Sequence, residues 1–305
     1  MLSPKCLLMI FSVLLLLPST SFADTILLKS DVWCPYNCAP DAQLPGYAIE
    51  ITKRILEKAG HTLTYENMPW SRALKLVKDG DSSAIIGVTK NEAPELIFPE
   101  QEIGISVIHF FKRKGTPWRY SGIASLRDVN VGIMADYEYG AELDAYFEKH
   151  KGTHRVQVIR SKRPLVLNIK KLLGGRIDVI PEDKAVFIET AHSMGVSDSI
   201  EDAGVDPITS KATFDESLVY IAFSPKNPKS KEYARLISEG IEQLRASGEL
   251  GTILAKYGLK DWKEEYEDVI RKYQPKGKVM TLNDQRALKI PSIRVIRMTR
   301  GPQGP

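Results

Sequence analysis

Two stretches of this chain run through the same order of elements at the same spacing, and that repeat limits the possible folds more than any other feature. After a short strand at Thr25–Lys29, Tyr47–Ala59 sets Ile51, Ile55, Leu56 and Ala59 on one helical face, with Gly60 as a stop. His61–Asn67 alternates as a strand does, Pro69 opens a helix over Trp70–Lys78, Asp79-Gly80 closes it, and Ser83–Val88 reads as a buried strand. The order then returns. Val129–Met134, Arg155–Ile159 and Ile177–Ile180 read as strands, Tyr139–His150 and Pro164–Leu173 as helices, with Gly174-Gly175 ending the second. Gly46 to Gly80 and Gly140 to Gly174 both span 34 residues, and the Lys75–Asp81 junction resembles Lys171–Asp178. Alternating strands and helices imply mostly parallel sheets covered by helices, here as two similar α/β lobes.

Two long apolar runs are expected to join the lobes. Ile103–Phe111, ended by Lys112-Arg113-Lys114-Gly115, carries the chain out of the first lobe, and Ser217–Phe223 carries it back. Helices at Lys229–Ala246 and Leu250–Tyr257 then pack onto the first lobe. Lobe one is expected over residues 24–111 with 219–270, and lobe two over residues 112–218. Two crossing strands form a hinge over a cleft, and ligands of open α/β sheets bind outside the carboxyl ends of the strands.

The N-terminus reads as a secretory leader over residues 1–23. Lys5 precedes the apolar Cys6–Leu17, and small residues precede a cut after Ala23. The apolar core is shorter than the ~20 residues that span a bilayer. No cysteine follows it to suggest lipidation. Export leaves Cys34 and Cys38, spaced C-x3-C, which favours a local disulfide over redox or zinc chemistry. The tail over residues 275–305 carries seven Lys and Arg against Asp284 alone. The chain's overall excess of 42 basic over 38 acidic residues therefore belongs to the tail and argues no nucleic-acid partner for the body. The tail reads as flexible, with a role at an anionic surface or none.

Several segments, in order, carry a resemblance: Pro45-Gly46-Tyr47, Pro69-Trp70-Ser71-Arg72-Ala73, Phe98-Pro99-Glu100, Val131-Gly132-Ile133, Gly175-Arg176-Ile177-Asp178-Val179 and Ile221-Ala222-Phe223-Ser224. Over about Thr25–Trp262 the chain resembles a divergent branch of the bacterial extracellular solute-binding proteins of family 3. These are polar amino-acid binders with the two-lobed type II periplasmic-binding fold. The resemblance implies a ligand carboxylate clamped by an Arg a few residues after a Thr. In Val88-Thr89-Lys90-Asn91-Glu92, Glu92 stands in that place, so the bidentate clamp is missing. It also implies a carboxylate for the ligand amino group, and Asp183 matches it. A cationic or amine-bearing ligand, or one held by Arg72, is the resulting expectation.

Each candidate has a plainer alternative. Trp33 and Tyr36 either stack on a ligand or pack around the cysteine loop. Trp70 and Arg72 either enter the cleft or serve as core and surface ion pair. Thr89 offers a hydroxyl or a backbone amide, and Glu92 binds a cation or is solvated. Asp136, Tyr137 and Tyr139 precede a helix N-terminus, a position suited to polar ligand groups or to a cap. Asp183 meets a ligand amine or caps the next helix. His150 and His154 lie four apart across Gly152 without partner carboxylates at ligand spacing, so no metal is expected, and no cofactor.

The expected function is an exported, monomeric, non-enzymatic protein that closes on a small polar solute and delivers it to an ABC permease or a sensor. One alternative is a periplasmic dehydratase using Glu92 with Glu182 or Asp183 as acid and base. Another is an envelope interaction protein that has lost its ligand.

Overall fold

The computed structural model describes residues 23–273. The leader, apart from Ala23, and the basic tail lie outside the described residues.

Two five-stranded sheets share one plan. In the first, β1 (Thr25–Ser30) runs parallel to β2 (Thr62–Asn67) on one side and β3 (Ala84–Val88) on the other. β10 (Leu218–Phe223) joins β3 antiparallel and β4 (Gly104–Ile105) forms the edge, giving the order β2-β1-β3-β10-β4. In the second, β6 (Val131–Met134) lies parallel to β7 (Val156–Ile159) and β8 (Val179–Asp183). β5 (Ile108–Arg113) joins β8 antiparallel and β9 (Ile200–Val205) forms the edge, giving β7-β6-β8-β5-β9. Each sheet thus holds three parallel strands of its own lobe and one antiparallel strand beside the crossing point. The repeat read from spacing is the repeat of the two sheets.

Helices cover the sheets. In lobe one, α1 (Tyr47–Lys58) buries Ile51, Ile55 and Leu56, and α2 (Trp70–Asp79) ends on Gly80 in the left-handed conformation at φ 93°. In lobe two stand α3 (Ala141–His150), α4 (Pro164–Leu173), opened by its proline, and α5 (Lys184–Ser193). α6 (Lys211–Ser217) feeds β10, after which α7 (Ser230–Ser247) and α8 (Glu249–Ala255) return to pack on α1. Two short helices, α9 (Trp262–Glu265) and α10 (Glu267–Tyr273), follow.

The first crossing lies earlier than its hydropathy suggests. Ile103–Phe111 reads as one apolar run, yet Gly104–Ile105 pairs with β10 in the first sheet and Ile108–Arg113 pairs with β8 in the second. The chain therefore changes sheets at Ser106–Val107, and residues 108–111 belong with the second sheet. Both flanks of the crossing are paired in a sheet and the run between them stays mostly apolar, so hydropathy carries no mark where one sheet gives way to the other. The return crossing, at Ser217–Leu218, falls where the second run begins.

Gly46 fixes how the cysteine loop meets α1. Its φ of 112° suits glycine, and a Cβ there would stand 2.3 Å from the Tyr36 carbonyl oxygen. Tyr47 and Ala48 donate their backbone N–H groups to the Pro35 and Tyr36 carbonyls across this contact, at 2.9 and 3.0 Å. Gly46→Ala is expected to destabilise the fold by at least about 2 kcal/mol, combining backbone strain with overlap, read as a lower urea midpoint. An unchanged midpoint would show that the loop moves away without cost.

Candidate functional site

The carboxyl ends of β1, β3, β6 and β8 converge on a cavity of about 690 Å³ between the two lobes. This is the place where parallel strands end and backbone and side chains are free to meet a ligand. Asp31 follows β1, Thr89 and Glu92 follow β3, Tyr137 and Glu138 follow β6, and Glu182 stands near the end of β8.

The cysteine loop aims one wall. Cys34 and Cys38 form a disulfide, and Trp33 and Asn37 exchange backbone hydrogen bonds of 2.9 and 3.1 Å. On the chain-entropy account so short a loop adds about 2 kcal/mol of stability. The loop stacks Trp33 on Tyr36, ring centroids 4.0 Å apart, with Trp33 in the cavity and Tyr36 buried beneath it. Trp33 also rests on Gly87 of β3, where a Cβ would lie 3.3 Å from Cε3 of the indole.

Charge is the cavity's defining property. Asp31, Glu92, Glu138 and Glu182 line its strand-end side, and Glu142, Asp206 and Glu216 line the rest. Among the described residues no Lys, Arg or His side chain lines it. Asp31 and Glu182 are 2% and 3% exposed. Burial pushes Asp31 up to about 6, against the Tyr137 hydroxyl, which pulls it down. Burial pushes Glu182 up to about 8, aided by the charges of Asp183 and Asp31 and opposed by the Trp33 indole and the Asp183 backbone N–H. Glu92, also at about 8, is raised by burial and by the Glu138 and Asp31 charges and lowered by the Trp70 indole. Buried carboxyl groups with no cation beside them keep their protons.

Five of the cavity's side-chain donors serve these acids. The Trp33 indole N–H donates to Glu182 Oε1 at 3.0 Å, and the Trp70 indole N–H to Glu92 Oε1 at 2.7 Å. The Tyr137 hydroxyl donates to Asp31, the Thr89 hydroxyl to Glu138, and the Tyr120 hydroxyl to Asp206 at 2.8 Å. Three of these bonds, Trp33–Glu182, Tyr137–Asp31 and Thr89–Glu138, cross from one lobe to the other.

Of the residues singled out in the sequence, the structure brings Trp33, Trp70, Thr89, Glu92 and Tyr137 together in the cavity. Tyr139 lines it too, buried, its hydroxyl accepting the Met134 backbone N–H at 2.8 Å. Four others lie elsewhere. Tyr36 and Asp183 are buried behind the cavity, where the tyrosine hydroxyl donates to Asp183 Oδ2 at 3.3 Å. Asp183 also caps α5, accepting the Val186 N–H at 3.1 Å, so the carboxylate matched to a ligand amine has structural partners. Arg72 is exposed on α2 and makes no ion pair among the described residues. Asp136, exposed and at φ 61°, pairs with Arg160 at 2.6 Å and with Ser71 of the facing lobe, outside the main cavity.

Asp31, Glu138, Glu142, Asp206 and Glu216 did not stand out in the sequence, and Glu182 did so only as a possible acid or base. A strand-end signal was present for two of them. Read as ending at Lys29, β1 hides Asp31. Read as ending at Ile180, β8 turns Pro181-Glu182-Asp183 into a loop and loses the alternation that turns Glu182 and Asp183 to opposite faces.

No curated protein sequence matches the chain closely enough to count as a relative. Solved structures similar to it include a histidine kinase sensor domain with similarity to periplasmic binding proteins, at 19% identity and TM-score 0.62, covering 76% of this chain and 95% of that one. Another comes from work on glutathione import in Gram-positive bacteria via GshT and the cystine ABC importer TcyBC of Streptococcus mutans, at 15% identity and TM-score 0.65, covering 80% and 100%. A third is the arginine-, lysine-, histidine-binding protein ArtJ from Geobacillus stearothermophilus, at 15% identity and TM-score 0.61, covering 80% and 99%. At these identities the likeness is one of fold. A family model matches residues 28–260, and the chain belongs to the bacterial extracellular solute-binding proteins, family 3.

Proposed function

We propose that this chain is an exported solute-binding protein whose lobes close on a cationic, amine-bearing solute and present the closed form to a membrane permease or a sensor. The observation that carries the ligand charge is the inter-lobe cavity itself, lined by seven acidic side chains and no basic side chain among the described residues. The family and the structural neighbours are binding proteins rather than enzymes, which leaves the dehydratase alternative without support. A relative named for arginine, lysine and histidine shows that the fold accommodates cationic solutes, and a kinase sensor domain of the same fold supports the sensor route beside the transporter route. No helix of the described residues is long and apolar enough to cross a membrane.

Closure is coupled to binding because Trp33, Asp31 and Thr89 of one lobe bond Glu182, Tyr137 and Glu138 of the other. A cation seated among these acids touches both lobes and so shifts the equilibrium toward closure. In a thermal-shift series, amine- and guanidinium-bearing compounds of net positive charge are expected to stabilise the purified chain, and glutamate, net negative, is not. At a hundred times the dissociation constant the gain is about 2.7 kcal/mol. Stabilisation by glutamate alone would contradict the cationic reading.

The same acids set a pH dependence. Glu92 and Glu182 hold protons in the folded protein up to about pH 8, but release them near their ordinary carboxyl values when unfolded. Between those limits the folded state binds more protons than the unfolded one, so stability falls as pH rises. The melting temperature without added amine is expected to drop from about pH 5 to about pH 8. Glu182→Gln, which removes one titrating group, should flatten that drop. An equally steep drop in the variant would show that Glu182 ionises freely.

A further inference from the structure

The acids of the cleft fall into two groups on different elements, a division that bears on the number of charges the ligand carries. The inner group is Asp31, Glu92 and Glu182, at the ends of β1 and β8 and after β3, framed by Trp33, Trp70 and Tyr137. The outer group is Glu142 at the start of α3, Asp206 just after β9 and Glu216 near the end of α6. Within the inner group, Asp31 repels both Glu92 and Glu182, and within the outer group Glu142 repels Asp206. Glu138 stands between them, acting on Glu92 on one side and feeling Glu216 on the other.

Three observations beyond the acids themselves point to a ligand. Glu182 Oε2 has no hydrogen-bond partner although its side chain is 3% exposed and lines the cavity. Its other oxygen already accepts from the Trp33 indole and the Asp183 backbone, so the free oxygen carries the group's proton when no cation is near and becomes an acceptor once a cation displaces that proton, in a place where leaving it unmet is costly. Secondly, indole and phenol rings wall the inner group, and the faces of such rings attract cations. Thirdly, the indole and hydroxyl donors of Trp33, Trp70, Thr89, Tyr120 and Tyr137 are committed to the protein's own carboxylates. A ligand carboxylate would find these five donors engaged, whereas a ligand that brings cationic N–H donors meets acid groups that ionise beside it. The volume of about 690 Å³ is within the range of sites for extended organic molecules rather than for one ammonium group.

Resting on the cationic reading above, we propose that the ligand is an organic polycation without a carboxylate. Asp31, Glu92 and Glu182 hold one ammonium or guanidinium centre, and Glu142, Asp206 and Glu216 hold a second. A chain that joins the two centres lies past Glu138 along the cavity.

Calorimetric titration of the purified chain with three matched compounds separates the elements of this proposal. Pentylamine carries one cation, 1,5-diaminopentane two, and lysine two with a carboxylate, and the straight-chain diamines from three to eight carbons cover other spacings. The best diamine is expected to bind about tenfold or more tighter than pentylamine, because a second charge-assisted contact is made, and tighter than lysine. Asp206→Asn with Glu216→Gln should reduce the diamine to about the affinity that pentylamine has for the unaltered chain, the variant's cooperative thermal unfolding showing that it is folded. Lysine binding tighter than every diamine would overturn the polycation and leave the cationic reading standing. Pentylamine binding as tightly as every diamine would overturn the second centre. Binding of glutamate or neutral amino acids alone, or of none of these compounds, would overturn the proposal together with the cationic reading.

Discussion

Three carboxyl groups, those of Asp31, Glu92 and Glu182, share a volume walled by indole and phenol rings with no cationic side chain among the cavity's described lining. Burying a carboxylate unpaired is so unfavourable that the group keeps its proton or waits for a counter-charge. Much of the cleft follows from that constraint. The indole and hydroxyl donors turn toward these acids, and two of the bonds they make, Trp33–Glu182 and Tyr137–Asp31, hold one lobe to the other. On the proposed reading, the groups that meet the solute are thus the groups that bond the two lobes, and no separate device is needed to couple binding to closure.

The scaffold serves this arrangement by symmetry. Each lobe ends its parallel strands at the cleft, and each receives one antiparallel strand beside the crossing. The disulfide loop carries Trp33 into the cavity and Tyr36 behind it, where Tyr36 meets Asp183. Outside the main cavity, Asp136 meets Ser71 and Arg160 and forms a second, solvent-exposed contact between the lobes. Exposed polar contacts add little on their own, so the buried contacts carry the larger part of the energy between the lobes.

Much of the fold was legible in the sequence because it rests on periodicity. The paired 34-residue spacings, the glycine stops and the two apolar crossings all reflect local chemistry that a single chain displays. The crossing point was not legible, since Ile103–Phe111 is one mostly apolar run whose two ends are buried in different sheets. Half of the site was legible for the same reason: Trp70, Thr89, Glu92 and Tyr137 follow strand or helix boundaries that the pattern marks. Asp31 and Glu182 were hidden by boundaries one to three residues off, and a strand that ends one residue early points the wrong neighbour at the ligand. Glu142, Asp206 and Glu216 come to the cavity from α3, a sheet edge and α6, and only tertiary packing brings them there.

The claim that these buried acids await a cation can be read most directly by counting protons. Calorimetric titration of 1,5-diaminopentane at pH 7 in two buffers of different ionisation enthalpy gives the number exchanged on binding. A cation that pairs with Glu92 and Glu182 lowers their proton affinity, so net release is expected, and it should shrink in Glu182→Gln. Binding with no proton exchange, or with uptake, would contradict the account.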